Sequence, residues 1–517
     1  MSLRTRTLRN ALFSSVGIYT EYALGMLTSI IIARHLGPEG YGTYSVVVWM
    51  VALGIATTNS GTASAAIKFV AELRGRGDTT SLAPLLACLR RAQRVFLLVV
   101  LLAGAGVLLG AGGRIAPGLH HGGLLAFLWF AVALRSSYMF NVGVAKGFED
   151  FRAIAVIAVI AAPVNLALVV LAWWLEAGIE WLLAVFAASS VVFYLVSHRQ
   201  VRRLVPPAPA GAALAPPLVA RIHRHMWLTA MTVTVGFVAA SEVEVLFLQL
   251  YAGASAAGQF KVAYQLAVGA ISLVPGVFGA LLLPMMANAL GQGAHVAGQR
   301  FVASTSYLVL LAAPLVAFGI AFSGVLIHLL YGDAYEASVL VLTWCLVGAA
   351  VTMVTQGGSA LLISADRQGS VLLLVLGCGA VKVGLDFLLV FRWGLVGAVA
   401  AYVTVAAVGA VAIMALAIRV TGTAPDWSRI ARVVLAGAGA ALLAFPLREL
   451  EPPLLALGLG GVAMALGYGV LSVALGCWTR ADISQLQQLH ERYAASRPRL
   501  GARVLQWAHR HAPGEVG

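Results

Sequence analysis

Residues 34–49 read RHLGPEGYGTYSVVVW, a knot of glycine, proline and tyrosine between two apolar stretches, 11–33 and 43–66. Each stretch is long enough to cross ~30 Å of hydrocarbon as a helix. Gly37, Gly40 and Gly42 with Pro38 therefore read as a tight turn at the lipid surface, with Tyr41 and Tyr44 at headgroup level. Working outward, further spans are expected near 95–112, 121–144, 154–175, 178–197, 226–250 and 262–286. Others follow near 303–330, 337–363, 369–391, 393–418, 431–447 and 453–477, about fourteen in all. Backbone groups in lipid must be satisfied within the segment, so spans of this length are helices and not barrel strands. Composition agrees: 61% of the 517 residues are hydrophobic and 10% charged, against about 25% charged in soluble chains. The expected fold is an all-α membrane protein. Arg4, Arg6 and Arg9 precede the first apolar run as in a signal peptide, but the run is span-length with no small-residue cleavage site, so an uncleaved first helix is expected.

The net charge of +14 is not a nucleic-acid signal. Most of the 34 Lys and Arg fall on one side of the fourteen-span layout: the N-terminus, the 67–94, 198–225 and 419–432 loops, and the C-terminal tail. Arg34, Arg114, Lys261, Arg392 and Arg448 fall on the other. Cytoplasmic loops carry the Lys/Arg excess, so a multi-pass inner-membrane protein with both termini cytoplasmic is expected. Cys88, Cys345, Cys378 and Cys477 have no C-x-x-C spacing and read as free thiols. No H-E-x-x-H occurs among the histidines and no phosphate-binding G-x-x-x-x-G-K-[ST] appears, so neither a metal nor a cofactor nor ATP-driven pumping is expected.

The opening stretch has an echo. Residues 250–265 read LYAGASAAGQFKVAYQ, and an offset of 216 carries Gly37, Gly42 and Tyr44 onto Gly253, Gly258 and Phe260. The same offset carries AELRGRG (71–77) onto ANALGQG (287–293), and Gly178 and Ala184 onto Gly394 and Ala400. One offset at three places argues for a duplication of about six helices. The expected organisation is a six-helix bundle over 1–204, a Pro/Ala-rich linker over 205–218, a second bundle over 219–418, two appended helices over 419–478, and a tail over 479–517. Six helices return the chain to its starting side, giving parallel pseudo-repeats, a transporter arrangement in which substrate sits in a central cavity between rocking halves.

The loop ARHLGPEGYGTYS, with LLYGDAYEASVLVL (329–342), SADRQGS (364–370) and WGLVGAVAAYV (393–403), resembles the polysaccharide-transporter branch (oligosaccharide and O-antigen flippases) of the flippase superfamily that also holds multidrug extruders. The resemblance covers essentially the whole chain, including the twelve-plus-two helix layout. It implies translocation of an undecaprenyl-diphosphate-linked oligosaccharide across the inner membrane for surface polysaccharide biosynthesis, with glycan polymerase and chain-length regulator partners.

Six ionisable residues lie deep in the expected spans: Glu21, Arg135, Glu242, Glu244, Lys382 and Asp386. At a lipid-facing helix centre each would cost roughly 2.5–3.5 kcal/mol, so they face a cavity or one another. Lys382 and Asp386 are four apart on one helix face and can pair, or contact a substrate diphosphate. Arg135 has no sequence-local carboxylate, and its guanidinium fork matches diphosphate oxygens; otherwise it pairs with Glu21 or a helix-seven acid. Glu242 and Glu244 are about 200° apart around a helix. One reads as a proton or sodium coupling site, the other as lying at the interface or pairing with Lys261. Glu21 is a third coupling candidate.

Pro163, Pro275, Pro284, Gly236, Gly269, Gly276 and Gly279 are either hinges or close-packing positions. Leu82–Arg94 reads as an interfacial amphipathic helix, and the tail, with Leu486, Tyr493 and Trp507, as solvated, membrane-bound or partner-bound. Two other functions compete. A cation-coupled multidrug extruder of the same fold predicts more cavity carboxylates than cations. A membrane enzyme needs a larger extramembrane loop than any expected here. A lipid II flippase is the neighbouring transport reading.

Overall fold

The computed structural model describes residues 3–205, 213–240, 242–272, 278–480, 482–484 and 487–488. Among these there are seventeen α-helices and no strand. The first nine are α1 (Leu3–Gly75), α2 (Leu82–Ile115), α3 (His121–Gly147), α4 (Phe151–Trp174), α5 (Ile179–Arg202), α6 (Pro216–Ala240), α7 (Val243–Tyr251), α8 (Ala254–Ser272) and α9 (Phe278–Gln292). Then come α10 (Ala294–Ala321), α11 (Ser323–Tyr331), α12 (Ser338–Val354), α13 (Gln356–Ser364), α14 (Gln368–Leu385), α15 (Phe391–Thr421), α16 (Trp427–Ala444) and α17 (Pro453–Ala474). A π-helical segment, Asp386–Val390, joins α14 to α15.

Among the described residues, ten helices are long and apolar enough to cross a membrane, and an eleventh counts if the pair Pro216–Val238 and Val243–Tyr251, bent by 50°, is one span. Two of the ten are double length. Tyr19–Asn59 has 41 residues and Gln368–Thr421 has 54, roughly 60 and 80 Å at ~1.5 Å per residue. Each contains one residue outside helical geometry, Gly37 (φ 67°) and Gly394 (φ 54°). Positive φ suits glycine because it lacks a Cβ, so the chain turns at these points and resumes a helix at once. The expected span 262–286 runs over residues outside those described, as do Pro275 and Gly276, half of the 205–218 linker and most of the tail.

The chain packs into two compact units. The first holds residues 1–261 together with Gly379–Ala398; the second holds Val262–Cys378 and Val399–Gly517. In the first, α1 packs against α3, α4 and α6, and α3 against α5. Its core at one end joins Phe69, Leu85, Leu89, Phe140, Ile222 and Met226. The interfacial helix expected over Leu82–Arg94 is corrected here. These residues are the first turns of α2, and Leu82, Leu85, Leu86 and Leu89 are buried against α1, α3 and α6, which supply the apolar partner that a lipid surface was expected to give. In the second unit, α10 packs against α9, α12 and α16, and α16 against α17.

The tight turn expected around Gly37 is also narrower than its sequence suggests. Only Gly37 leaves helical geometry; Gly40 and Gly42 lie within α1. Tyr41 and Tyr44 are buried, with Tyr41 Oη 2.6 Å from Ser29 Oγ. They pack inside the first unit, so their rings are shielded by protein. All four cysteines are free thiols.

Candidate functional site

Three features stand out inside the apolar spans. The first is built where α7 meets the α14–α15 junction in the first unit. Glu242 and Glu244 stand on opposite sides of the start of α7, as their spacing requires, and take different partners. Glu242 pairs with Lys261 of α8. Glu244, fully buried, pairs with Lys382 of α14, Nζ lying 3.0 Å from Oε1. Lys382 thus turns to an acid from another helix, although Asp386 is on its own. Asp386 opens the π-helical segment, is fully buried, and neither carboxylate oxygen has a hydrogen-bond partner among the described residues. Glu244 Oε2 and the buried Gln249 Oε1 are likewise without one. Two carboxylates against one lysine leave buried negative charge that favours a proton or a cation. Among the described residues, no group of three or more His, Cys, Asp or Glu is arranged to hold a metal ion.

The second feature is Arg135 on α3. Its Nε donates to Ser190 Oγ at 3.0 Å and a terminal nitrogen donates to Ser189 Oγ at 3.3 Å. Its guanidinium lies 4.0 Å from the ring centroid of Phe193 and 4.9 Å from that of Phe186. Among the described residues Arg135 makes no ion pair with a carboxylate. One turn away, the Tyr138 hydroxyl donates to Glu21 at 3.4 Å and its ring packs edge-on against Phe193 at 5.0 Å. α3 and α5 thus hold a cation in place with hydroxyls and ring faces. Ser189, Ser190, Phe186 and Phe193 were missed from sequence. The adjacent serines in an otherwise apolar span were the signal available.

The third lies wholly within the second unit. A cavity of about 1070 Å³ runs between α10, α12, α15 and α16. Val309, Val351, Val411, Met414, Val434 and Leu442 represent its lining, and among the described residues Thr305, Thr355 and the Trp427 indole are the only polar side chains on it. Such a wall offers no partner to a hydrated solute and suits hydrocarbon. The cue in sequence was the run of small residues in α16 (AGAGAA, 436–441), which leaves space beside the helix.

Comparison with known proteins follows this geometry. Residues 7–290 match the family described as polysaccharide biosynthesis protein. No curated protein matches the chain. Among solved structures, the lipid II flippase MurJ in an inward closed conformation superposes with a TM-score of 0.70 at 12% identity, over 89% of this chain and 98% of that one. An inward-facing multidrug resistance MATE family transporter of the MOP superfamily gives 0.62 at 16% identity, over 79% and 99%. A MOP superfamily transporter from Pyrococcus furiosus, whose structure was described under a reversed polarity of its binding pocket, gives 0.53 at 14% identity, over 80% and 96%. At these identities the likeness is one of fold.

Proposed function

We propose that this chain, which belongs to the polysaccharide biosynthesis protein family, is a flippase that carries an undecaprenyl-diphosphate-linked oligosaccharide from the cytoplasmic to the periplasmic face. On this reading it is a multi-pass membrane transporter and not an enzyme, which its apolar helices and family support. The observation that carries the substrate class is the cavity of about 1070 Å³, larger than the roughly 300–1,000 Å³ typical of ligand sites and walled almost entirely by apolar groups. A polyprenyl chain is a ligand such a wall accepts. Arg135 supports the diphosphate end, because a guanidinium without a carboxylate partner binds phosphate oxygens in a fork.

The same proposal places both termini in the cytoplasm by the Lys/Arg bias of the loops. It takes the repeats 1–204 and 219–418 as the two bodies of an alternating-access cycle, with 419–478 appended. Coupling is assigned to Glu244, Asp386 and Lys382, where the buried carboxylates outnumber the lysine. Glu242 is committed to Lys261 and Glu21 to Tyr138, so each is a weaker coupling candidate. A glycan polymerase and a chain-length regulator would receive the product.

Deleting the gene in the native host and extracting lipid-linked glycans tests this. Completed repeat units held on the cytoplasmic leaflet, with surface polysaccharide lost, is the expected result. The second reading, a cation-coupled drug extruder, draws on the excess carboxylates at Glu244 and Asp386. Normal glycan with new sensitivity to cationic drugs would select it. A lipid II flippase would instead show up as a defect in cell-wall precursor.

A further inference from the structure

The leucines in the first turns of α2 face inward, but the arginines that follow them do not. Arg90 and Arg94 are four residues apart on α2, and Tyr194, His198 and Arg202 are spaced by four on α5. That spacing lines each set up along one side of its helix. Both helices pack on α3, and all three belong to the first unit. A polar clamp beside each set fixes it in place. Gln93, next to Arg94, donates through Nε2 to the Ser136 carbonyl of α3 at 3.0 Å. Asn141 of α3 donates through Nδ2 to the hydroxyl of Ser197, next to His198, also at 3.0 Å.

The two sets meet. Arg90 and Arg202 are both close enough for their charges to act on His198, and Tyr194 and Arg94 stand in the same relation to Arg90. The rings of Tyr194 and His198 stack with centroids 5.6 Å apart and planes 29° apart. Arg90 and His198 are half-buried, while Arg94 and Arg202 are exposed. Among the described residues, none of these four basic side chains forms an ion pair with a carboxylate. Nor is any carboxylate among the groups whose charge acts on Arg90 or His198.

Three arginines thus gather around one imidazole with no acid to oppose them. Like charges held together repel, and an anion seated between them offsets that cost. The donors are of the kind phosphate takes: guanidinium forks, an imidazole and a phenol hydroxyl. The level fits as well. Arg202 is the last residue of α5, and Arg90 lies two turns into α2, roughly 12 Å from its start at ~1.5 Å per residue. The cluster therefore sits at one end of two long apolar helices, where a bilayer carries its phosphates.

We infer that Arg90, Arg94, His198 and Arg202, with the Tyr194 hydroxyl, form a binding site between α2 and α5 for the phosphate group of a lipid. The site is separate from the apolar cavity and stands whether or not the chain flips a glycan. Diffuse attraction of anionic lipid acts on any basic side chain near the surface. A built site instead sets these residues apart from Arg91 and Arg199, exposed neighbours that lie outside the two sets.

Native mass spectrometry of the full chain in detergent, titrated with phosphatidylglycerol, tests this. Arg90→Gln with Arg94→Gln is expected to weaken lipid retention about tenfold, whereas Arg91→Gln with Arg199→Gln changes it by less than about twofold. Equal losses in the two pairs would mean diffuse attraction and overturn the site, as would no loss in either. Should the first pair not fold, His198→Gln with Arg202→Gln reads the same binding from α5. Two more ligands separate the sources of the phosphate. Preference for a short-chain polyprenyl phosphate identifies a lipid-linked substrate, and preference for phosphatidylglycerol identifies a resident bilayer lipid; either keeps the site. Inorganic phosphate that strips the lipid away would make the free anion the ligand and overturn the lipid assignment.

Discussion

Lys382 Nζ stands 3.0 Å from Glu244 Oε1, joining two helices from distant parts of the sequence through side chains that are both buried. Breaking a buried pair leaves an uncompensated charge and typically costs 3–5 kcal/mol. Lys382→Met and Glu244→Gln are each expected to lower stability by about that much. The double variant should recover part of the loss, and denaturant unfolding in detergent measures the cycle. Strictly additive effects would mean that the two side chains do not support each other.

Asp386 behaves differently, because its oxygens have no hydrogen-bond partner among the described residues. Removing a buried charge that lacks a partner relieves a desolvation cost of about 1–3 kcal/mol, so Asp386→Asn is expected to hold or raise stability. Under the proposed coupling role, the same variant flattens the dependence of transport on external pH. A destabilised Asp386→Asn protein would contradict the first expectation, and an unaltered transport profile the second.

Arg135 is held by two serines and two phenylalanine rings. Lysine cannot reproduce the fork or the stacking. Arg135→Lys should therefore cost transport about tenfold while leaving the helical content unchanged, corresponding to ~1.4 kcal/mol at the ligand. Phe193→Leu, which removes one ring face, is expected to weaken transport by a smaller factor. Initial flipping rates in vesicles distinguish the two.

The apolar cavity predicts that bulk hurts and polarity hurts more. Ala410→Trp fills space beside Val411 and Met414 on its lining and is expected to weaken binding of a polyprenyl phosphate. Ala410→Asp adds an unpaired charge to the same wall and should weaken it further. Titration of a short-chain polyprenyl phosphate by calorimetry checks the order. Equal binding by all three proteins would place the lipid chain elsewhere.

At the end of α17 the chain is pinned by Asp482. It accepts hydrogen bonds from the Tyr307 hydroxyl, from Arg429 at 2.8 Å and from the Thr479 amide at 2.9 Å. Burial alone would raise this carboxyl, but these hydrogen bonds and the Arg429 charge outweigh it and hold the carboxyl below its ordinary range. A folded-state value below the unfolded ~3.9 means the anchor is at full strength above that ordinary value. Its contribution is lost as pH falls through the lower folded-state value. Protection of the Ile483 amide from hydrogen exchange, taken relative to the intrinsic rate at each pH, should fall over that acidic window, and in Asp482→Asn should be low at neutral pH too. Protection that ignores pH in this window would sink the anchor.

The class of the protein was legible in the sequence because membrane partition is a property of contiguous residues. A stretch of sufficient length and apolarity inserts as a helix whatever surrounds it, and charge in a span must find shelter wherever the span packs. The offset of 216 was likewise readable from one dimension. Even the opposed faces of Glu242 and Glu244 followed from helical pitch, whereas which of the two takes Lys261 did not. What took three dimensions was the choice of partner between helices. Lys382 had an acid four residues away and still paired with Glu244, because α7 packs against the π-helical junction. Gly42 looked like turn chemistry, yet its missing Cβ leaves room for the Ala254 carbonyl. The cavity beside α16 has no signature beyond small residues, since a space belongs to four helices at once. Local composition sets what each segment can be; the rotation and approach of packed helices decide what its side chains meet.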